Sequence, residues 1–166
     1  MRELIAELEI HTLAEAFCRN LDRADETALK SLFHQDSFIS SGLFTGNGQS
    51  FASKICTVMK TVFNQTRHNV TNIRYDIDGD SANGETHMVA VGAITGWDGA
   101  PAEILVSGFY VDRLDRRDGT WKFTERRFIC ENAVQRPLGT VWDVYPFAVP
   151  ADDAPIPEER ITEFWQ

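Results

Sequence analysis

The order of periodicities along this chain predicts an α+β domain. Apolar residues recur at helical spacing in three early stretches, 4–22, 26–33 and 49–64. From about residue 68 the period changes to alternation, with long strands at 68–78, 84–96, 102–116 and 120–131. Turn chemistry separates them: Asp78-Gly79-Asp80-Ser81, Gly96-Trp97-Asp98-Gly99, and the hairpin dipeptide Asp118-Gly119. Helices segregated to one side of an antiparallel meander make the α+β class, and 166 residues suffice for one core of this kind.

In the first helix Ile10, Leu13, Ala14, Phe17 and Leu21 form one apolar stripe, with Cys18 and Asp22 on its shoulder. An acid in the last turn faces the negative end of the helix dipole. Either Asp22 is solvated there, or another group holds it. Asp25 has the chemistry of an N-cap for the second helix, which turns Leu29, Leu32 and Phe33 inward. A short strand follows at 37–41, then a turn at Gly46-Asn47-Gly48. The third helix carries Phe51, Ile55, Val58, Met59 and Val62 on one face. A long twisted sheet around such helices leaves a hollow, a common form of ligand site.

The formal charge of −9 argues against a nucleic-acid partner, which needs a basic footprint. No apolar run approaches the roughly 20 residues that span a bilayer, and the N-terminus is too acidic for a secretory leader. Cys18, Cys56 and Cys130 are odd in number and lack CxxC spacing, so neither a zinc site nor a disulfide framework is expected. Free thiols fit a reducing, cytoplasmic compartment.

No nucleophile elbow, P-loop or dinucleotide fingerprint precedes a helix, and Gly42, Gly46 and Gly48 have the wrong spacing for one. No histidine pair has a metal-motif spacing, and no metal or cofactor is expected. His11 and His34 read as helix-surface residues. His87 either points into a cavity or is a hydrogen-bonded core histidine. His68 shares strand parity with Val70 and Arg74, opposite to Ile73, Tyr75 and Ile77. Either it precedes regular pairing, or a bulge intervenes. A carboxylate beside it, such as Asp22, gives a base of fixed tautomer and orientation. From spacing alone a structural histidine is the better account.

Three segments carry a resemblance: the helix ending Leu21-Asp22, then Thr66-Arg67-His68-Asn69-Val70-Thr71-Asn72-Ile73, then Gly108-Phe109-Tyr110-Val111-Asp112 leading into Arg116-Arg117-Asp118-Gly119-Thr120-Trp121-Lys122-Phe123. Over about residues 5–131 the chain resembles the SnoaL-like branch of the NTF2-like superfamily, in the group with scytalone dehydratase, hexachlorocyclohexane dehydrochlorinase and bile-acid dehydratase. The resemblance implies a cone-shaped α+β barrel, N-terminal helices packed in a curved, mainly antiparallel sheet, spanning 1–131. Residues 132–166 then form an irregular tail with five prolines and a short helix near 157–165, serving as a lid or a subunit contact.

The implied activity is a cofactor-independent lyase, a dehydratase or dehydrohalogenase, acting on a small hydrophobic cyclic substrate. His68 takes a carbon-bound proton and Asp22 orients it; Arg126 stabilises a leaving anion, with a surface arginine paired to Glu125 or Glu103 as the alternative. Tyr110 is a second donor, or a packing aromatic. Phe17 stands where several dehydratases carry a tyrosine, five residues before the helix aspartate, so the donor must be another group: Tyr75, Tyr110 or Arg126. The alternatives in function are an isomerase of the ketosteroid-isomerase type and a non-catalytic module for ligand binding or oligomerisation. A homo-oligomer, trimer or dimer, is expected, with no membrane partner.

Overall fold

The computed structural model describes residues 2–42, 44–96 and 99–137. The chain runs α1 (Arg2–Asp22), α2 (Glu26–Ser31), β1 (Phe33–Ser40), β2 (Thr45–Asn47), α3 (Gly48–Val62), β3 (Phe63–Asp78), β4 (Ser81–Thr95), β5 (Pro101–Arg117) and β6 (Thr120–Pro137). The six strands form one curved sheet in the order β2-β1-β6-β5-β4-β3, antiparallel except where β1 runs parallel to β6. The expected α+β class is correct, but the sheet does not close: β2 and β3 are its two edges.

Local chemistry accounts for the helix starts. The Asp25 carboxylate accepts from the Ala28 N–H at 2.9 Å, and the Asn47 side chain accepts from the Gln49 N–H at 2.8 Å. The second helix is shorter than its periodicity suggests. It stops at Ser31 because Phe33 leaves to start β1, and the Phe123 N–H donates to the Leu32 carbonyl at 2.9 Å. Asp118 and Gly119 both take positive φ, +52° and +78°, as the hairpin reading requires. At the other end of the hairpin, β6 continues to Pro137, six residues beyond the expected strand end at 131. The remainder of the expected tail, with its proline-rich stretch and short helix, lies outside the described residues.

The core is built where α1 and α3 press on the concave face. Phe17 sits at its centre, with ring centroids 6.0 Å from Phe33, 6.1 Å from Phe51, 5.4 Å from Tyr110 and 6.1 Å from Phe123. Edge-to-face and stacked pairs at these distances add to the burial term. Among the described residues no helix is long and apolar enough to cross a membrane. The outer face of the sheet exposes Val89, Val111 and Ile129.

Four one-residue bulges phase the long strands. Asn64 and Asn72 are the extra residues in β3, Thr124 and Glu131 those in β6. Each bulge exchanges the inward and outward sets of side chains. Asn72, at φ +45°, is why Thr66, His68 and Val70 face inward before it and Ile73, Tyr75 and Ile77 after it. Beside the Glu131 bulge, Gly108 is required: a Cβ there would lie 2.1 Å from the Ile129 carbonyl oxygen.

Candidate active site

The last residue of α1 meets the edge of the sheet. Asp22 Oδ1 accepts a hydrogen bond from His68 Nδ1 at 2.6 Å, and Asp22 Oδ2 accepts from the His68 backbone N–H at 2.9 Å. Because β3 is an edge strand, that N–H has no neighbouring strand on its outer side among the described residues. One carboxylate therefore satisfies a sheet-edge donor and holds a ring. The acid at the end of the helix, unfavourable to the dipole, is held by these two donors.

Burial pushes the Asp22 carboxyl up, but the hydrogen bonds from the His68 ring and N–H, aided by the Thr66 hydroxyl, outweigh it. The carboxyl stays below its ordinary value and is ionised at neutral pH. An ionised acceptor at Nδ1 makes Nδ1 the donor, so the neutral ring carries its lone pair on Nε2. Asp22 stabilises the fold above its unfolded value of 3.8, and that contribution is lost as pH falls through its lower folded value. The stability advantage of the native chain over Asp22→Asn is therefore expected to be largest at neutral pH and to shrink below about pH 3.8, which urea denaturation across the acid range measures. A constant difference down to the lowest pH would contradict this reading of Asp22.

His68 is on the wall of an open-mouthed cavity of about 480 Å³ bordered by α1, α3 and the concave sheet face. The lining is apolar: Leu21, Phe51, Met88, Ile104 and Val106 are typical of it. The polar groups on it are few, Ser41, Thr66, His68, Tyr110 and Cys130, and no acidic or basic side chain other than the imidazole is among the described lining residues. Uncharged apolar guests suit such walls.

Tyr110 is on this wall and almost fully buried. Its hydroxyl has no hydrogen-bond partner among the described residues. Burial first, and then the neighbouring Cys18, push its phenol far above the ordinary range, so it remains a protonated donor. Cys18 itself is pushed up to about 12, mainly by burial, and is inert at neutral pH.

Arg126 does not join the wall. It is fully buried and gives Nε and Nη2 to Asp112 Oδ1 and Oδ2, both at 2.7 Å. Its guanidinium lies 4.3 Å from the ring centres of Phe17 and Tyr110 and 3.9 Å from that of Phe123. Burial alone would lower the pKa of Arg126, but Asp112 more than offsets it. Neither sequence-based alternative describes this residue: Glu125 pairs with Arg127 and Arg113, Glu103 with Arg136, and Arg126 sits behind the cavity rather than on it. The cause is the Thr124 bulge, which turns Arg126 inward in place of Glu125.

Tyr75 is likewise committed elsewhere, donating to Asp112 Oδ2 at 2.6 Å and lying 3.0 Å from the Thr86 hydroxyl. His34 is in β1, not on a helix surface, and its Nε2 meets the Asp115 carbonyl at 3.0 Å. His87 is on the outer face, stacked on Phe109 at 5.3 Å, neither in the cavity nor in the core. Asp112 was missed as a partner. Its even parity with Tyr110 and Leu114 was the available signal, since an acid on a buried strand face must be paired.

A family model for the SnoaL-like domain matches residues 2–127. The chain belongs to the SnoaL-like family. This SnoaL-like protein is 28% identical over 115 residues to the gamma-hexachlorocyclohexane dehydrochlorinase of Sphingobium indicum, covering 68% of this chain and 71% of that one. Its fold superposes on the crystal structure of LinA with a TM-score of 0.73 at 25% identity, covering 83% and 92% of the two chains. A candidate scytalone dehydratase from Novosphingobium aromaticivorans superposes with a TM-score of 0.71 at 23% identity over 82% and 91%, which speaks for the SnoaL-like fold alone.

Proposed function

We propose that this SnoaL-like protein is a lyase that uses the His68–Asp22 pair to remove a carbon-bound proton from a small, uncharged, hydrophobic ring compound. The observation that carries this reading is the 2.6 Å contact between Asp22 and His68 Nδ1 at the wall of an apolar cavity. Asp22 fixes the ring and is ready to stabilise the imidazolium; Nε2 is left to accept the proton. The proton and the leaving group both end in the products, so an elimination of this kind consumes no oxidant or reductant. Kinship to a dehydrochlorinase supports an elimination over other uses of the same base.

The test is to incubate the purified protein with small cyclic alcohols and halides that bear an acidified C–H, and to follow products by mass spectrometry. Loss of water or hydrogen halide, with deuterium exchange at the acidified carbon, is expected. A product of unchanged mass would instead mark an isomerase. Tight binding without conversion would mark a module that only holds its ligand.

A further inference from the structure

The Cys130 thiol and the Tyr110 hydroxyl are both on the cavity wall, and the base chemistry above uses neither. They face inward from neighbouring strands. Tyr110 of β5 is paired with Phe128 of β6, their ring centroids 5.2 Å apart, and Cys130 is paired with Gly108, one inward step along. Tyr110 and Cys130 are therefore diagonal neighbours, with backbones roughly 7–8 Å apart. Gly108 has no side chain to lay across the thiol, and it must have none, since a Cβ there would lie 2.1 Å from the Ile129 carbonyl oxygen. The sulfur keeps an open path to the cavity.

The three cysteines differ in what reaches them. Cys18 and Cys56 are buried, and burial holds both thiols above their ordinary range. Cys130 is exposed and also lines the cavity, so it meets water and guest together. Its Sγ meets the Asn132 carbonyl at 3.6 Å, a weak contact that leaves the sulfur lone pairs free. Tyr110 is only 4% exposed, and its hydroxyl has no hydrogen-bond partner among the described residues. A buried donor left open on a wall calls for an acceptor on the guest. The wall thus presents a soft nucleophile and, one diagonal away, a donor for an oxygen, among apolar side chains that favour an uncharged guest. An α,β-unsaturated carbonyl has the matching pair of features. Its β-carbon is electrophilic, and its oxygen takes up charge as that carbon is attacked.

We propose that Cys130 is a covalent-modification site for small cyclic α,β-unsaturated carbonyl compounds, with the Tyr110 hydroxyl as the donor to their oxygen. The thiol gives its proton to water, and Sγ bonds to the β-carbon. The C=C electron pair moves toward the carbonyl, whose oxygen takes the charge under the Tyr110 hydrogen bond. Water returns a proton to the α-carbon, the C=O bond is restored, and the adduct is a neutral thioether. No oxidant or reductant is consumed, and Tyr110 keeps its own proton. The site needs the cavity but not the base, so it goes beyond the lyase reading and does not rest on it.

The experiment treats the full chain with cyclohexenone and, separately, with iodoacetamide, which alkylates a thiol by displacement and forms no enolate. Intact mass and peptide mapping read the site and the rate. The His68 ring resonances, followed by NMR, read whether the adduct lies in the cavity. One cyclohexenone is expected on Cys130, at a rate that reaches a plateau as the enone is raised, with the His68 resonances shifting as the adduct forms. Cys130→Ser is expected to take up none. Tyr110→Phe is expected to slow the enone roughly three- to tenfold, the size of one neutral hydrogen bond, and to leave the iodoacetamide rate within about twofold of native. His68→Ala is expected to be modified as the native chain is.

Modification of another residue in place of Cys130, a rate without a plateau, unshifted His68 resonances, or equal enone rates in native and Tyr110→Phe would each overturn the proposal. If Tyr110→Phe fails to fold, the plateau and the His68 shift in the native chain still decide it. Saturable Cys130 modification in a protein without turnover would sink the lyase reading alone. His68-dependent turnover with an unreactive Cys130 would sink this proposal alone.

Discussion

Replacing His68 with alanine is expected to lower kcat by about 10²- to 10⁴-fold, the contribution of a positioned general base, equivalent to about 3–5 kcal/mol of barrier. Among the described residues the ring is the one group that combines a lone pair, a fixed tautomer and a place on the cavity wall. KM should move little, because the apolar walls that bind the guest are untouched. The loss must not be a folding defect, and the geometry argues that it is not: the backbone N–H of residue 68 still has Asp22 Oδ2 to donate to. Thermal melts and NMR dispersion of the variant check this. Turnover within about tenfold of native, with the fold intact, would remove His68 from the mechanism.

The largest effect on stability is expected from Asp112→Ala. It leaves Arg126 charged, fully buried and stripped of both its hydrogen-bond acceptors, and takes from the Tyr75 hydroxyl its 2.6 Å partner. Breaking a buried ion pair from one side costs about 3–5 kcal/mol, because the remaining charge has no solvent to return to. Urea denaturation measures it as a fall in midpoint at constant slope. Asp112→Leu combined with Arg126→Met removes both charges and should recover most of the loss. A single-variant loss below about 1 kcal/mol would mean that Arg126 finds another partner or reaches water, and that the buried pair is not what holds this part of the sheet.

Helix positions, the Asp25 cap, the Asp118-Gly119 hairpin and the four long strands were legible because each rests on local chemistry that the fold does not override. The meeting of Asp22 and His68 was legible only through resemblance, since 46 residues separate them and no spacing rule spans that distance. Alternation failed at the bulges. His68 was ambiguous because Asn72 reverses the pattern four residues later, and Arg126 was misplaced because Thr124 reverses it two residues earlier. A bulge leaves almost no mark in the sequence unless a glycine or a left-handed residue announces it. Strand β1 was cut short in the sequence reading because Phe33-His34 continue the helical stripe of α2, and only the parallel pairing with β6 reassigns them.

The grip of Asp22 on both the ring and the amide of His68 has a consequence for heat sensitivity. Terminal turns of helices fray at free energies far below that of whole-domain unfolding. When the final turn of α1 lifts, the imidazole loses its brace and the strand rim loses its seal in one event. Catalytic competence should therefore fade on warming before the sheet melts, and amide exchange at His68 should track that fading rather than the global transition.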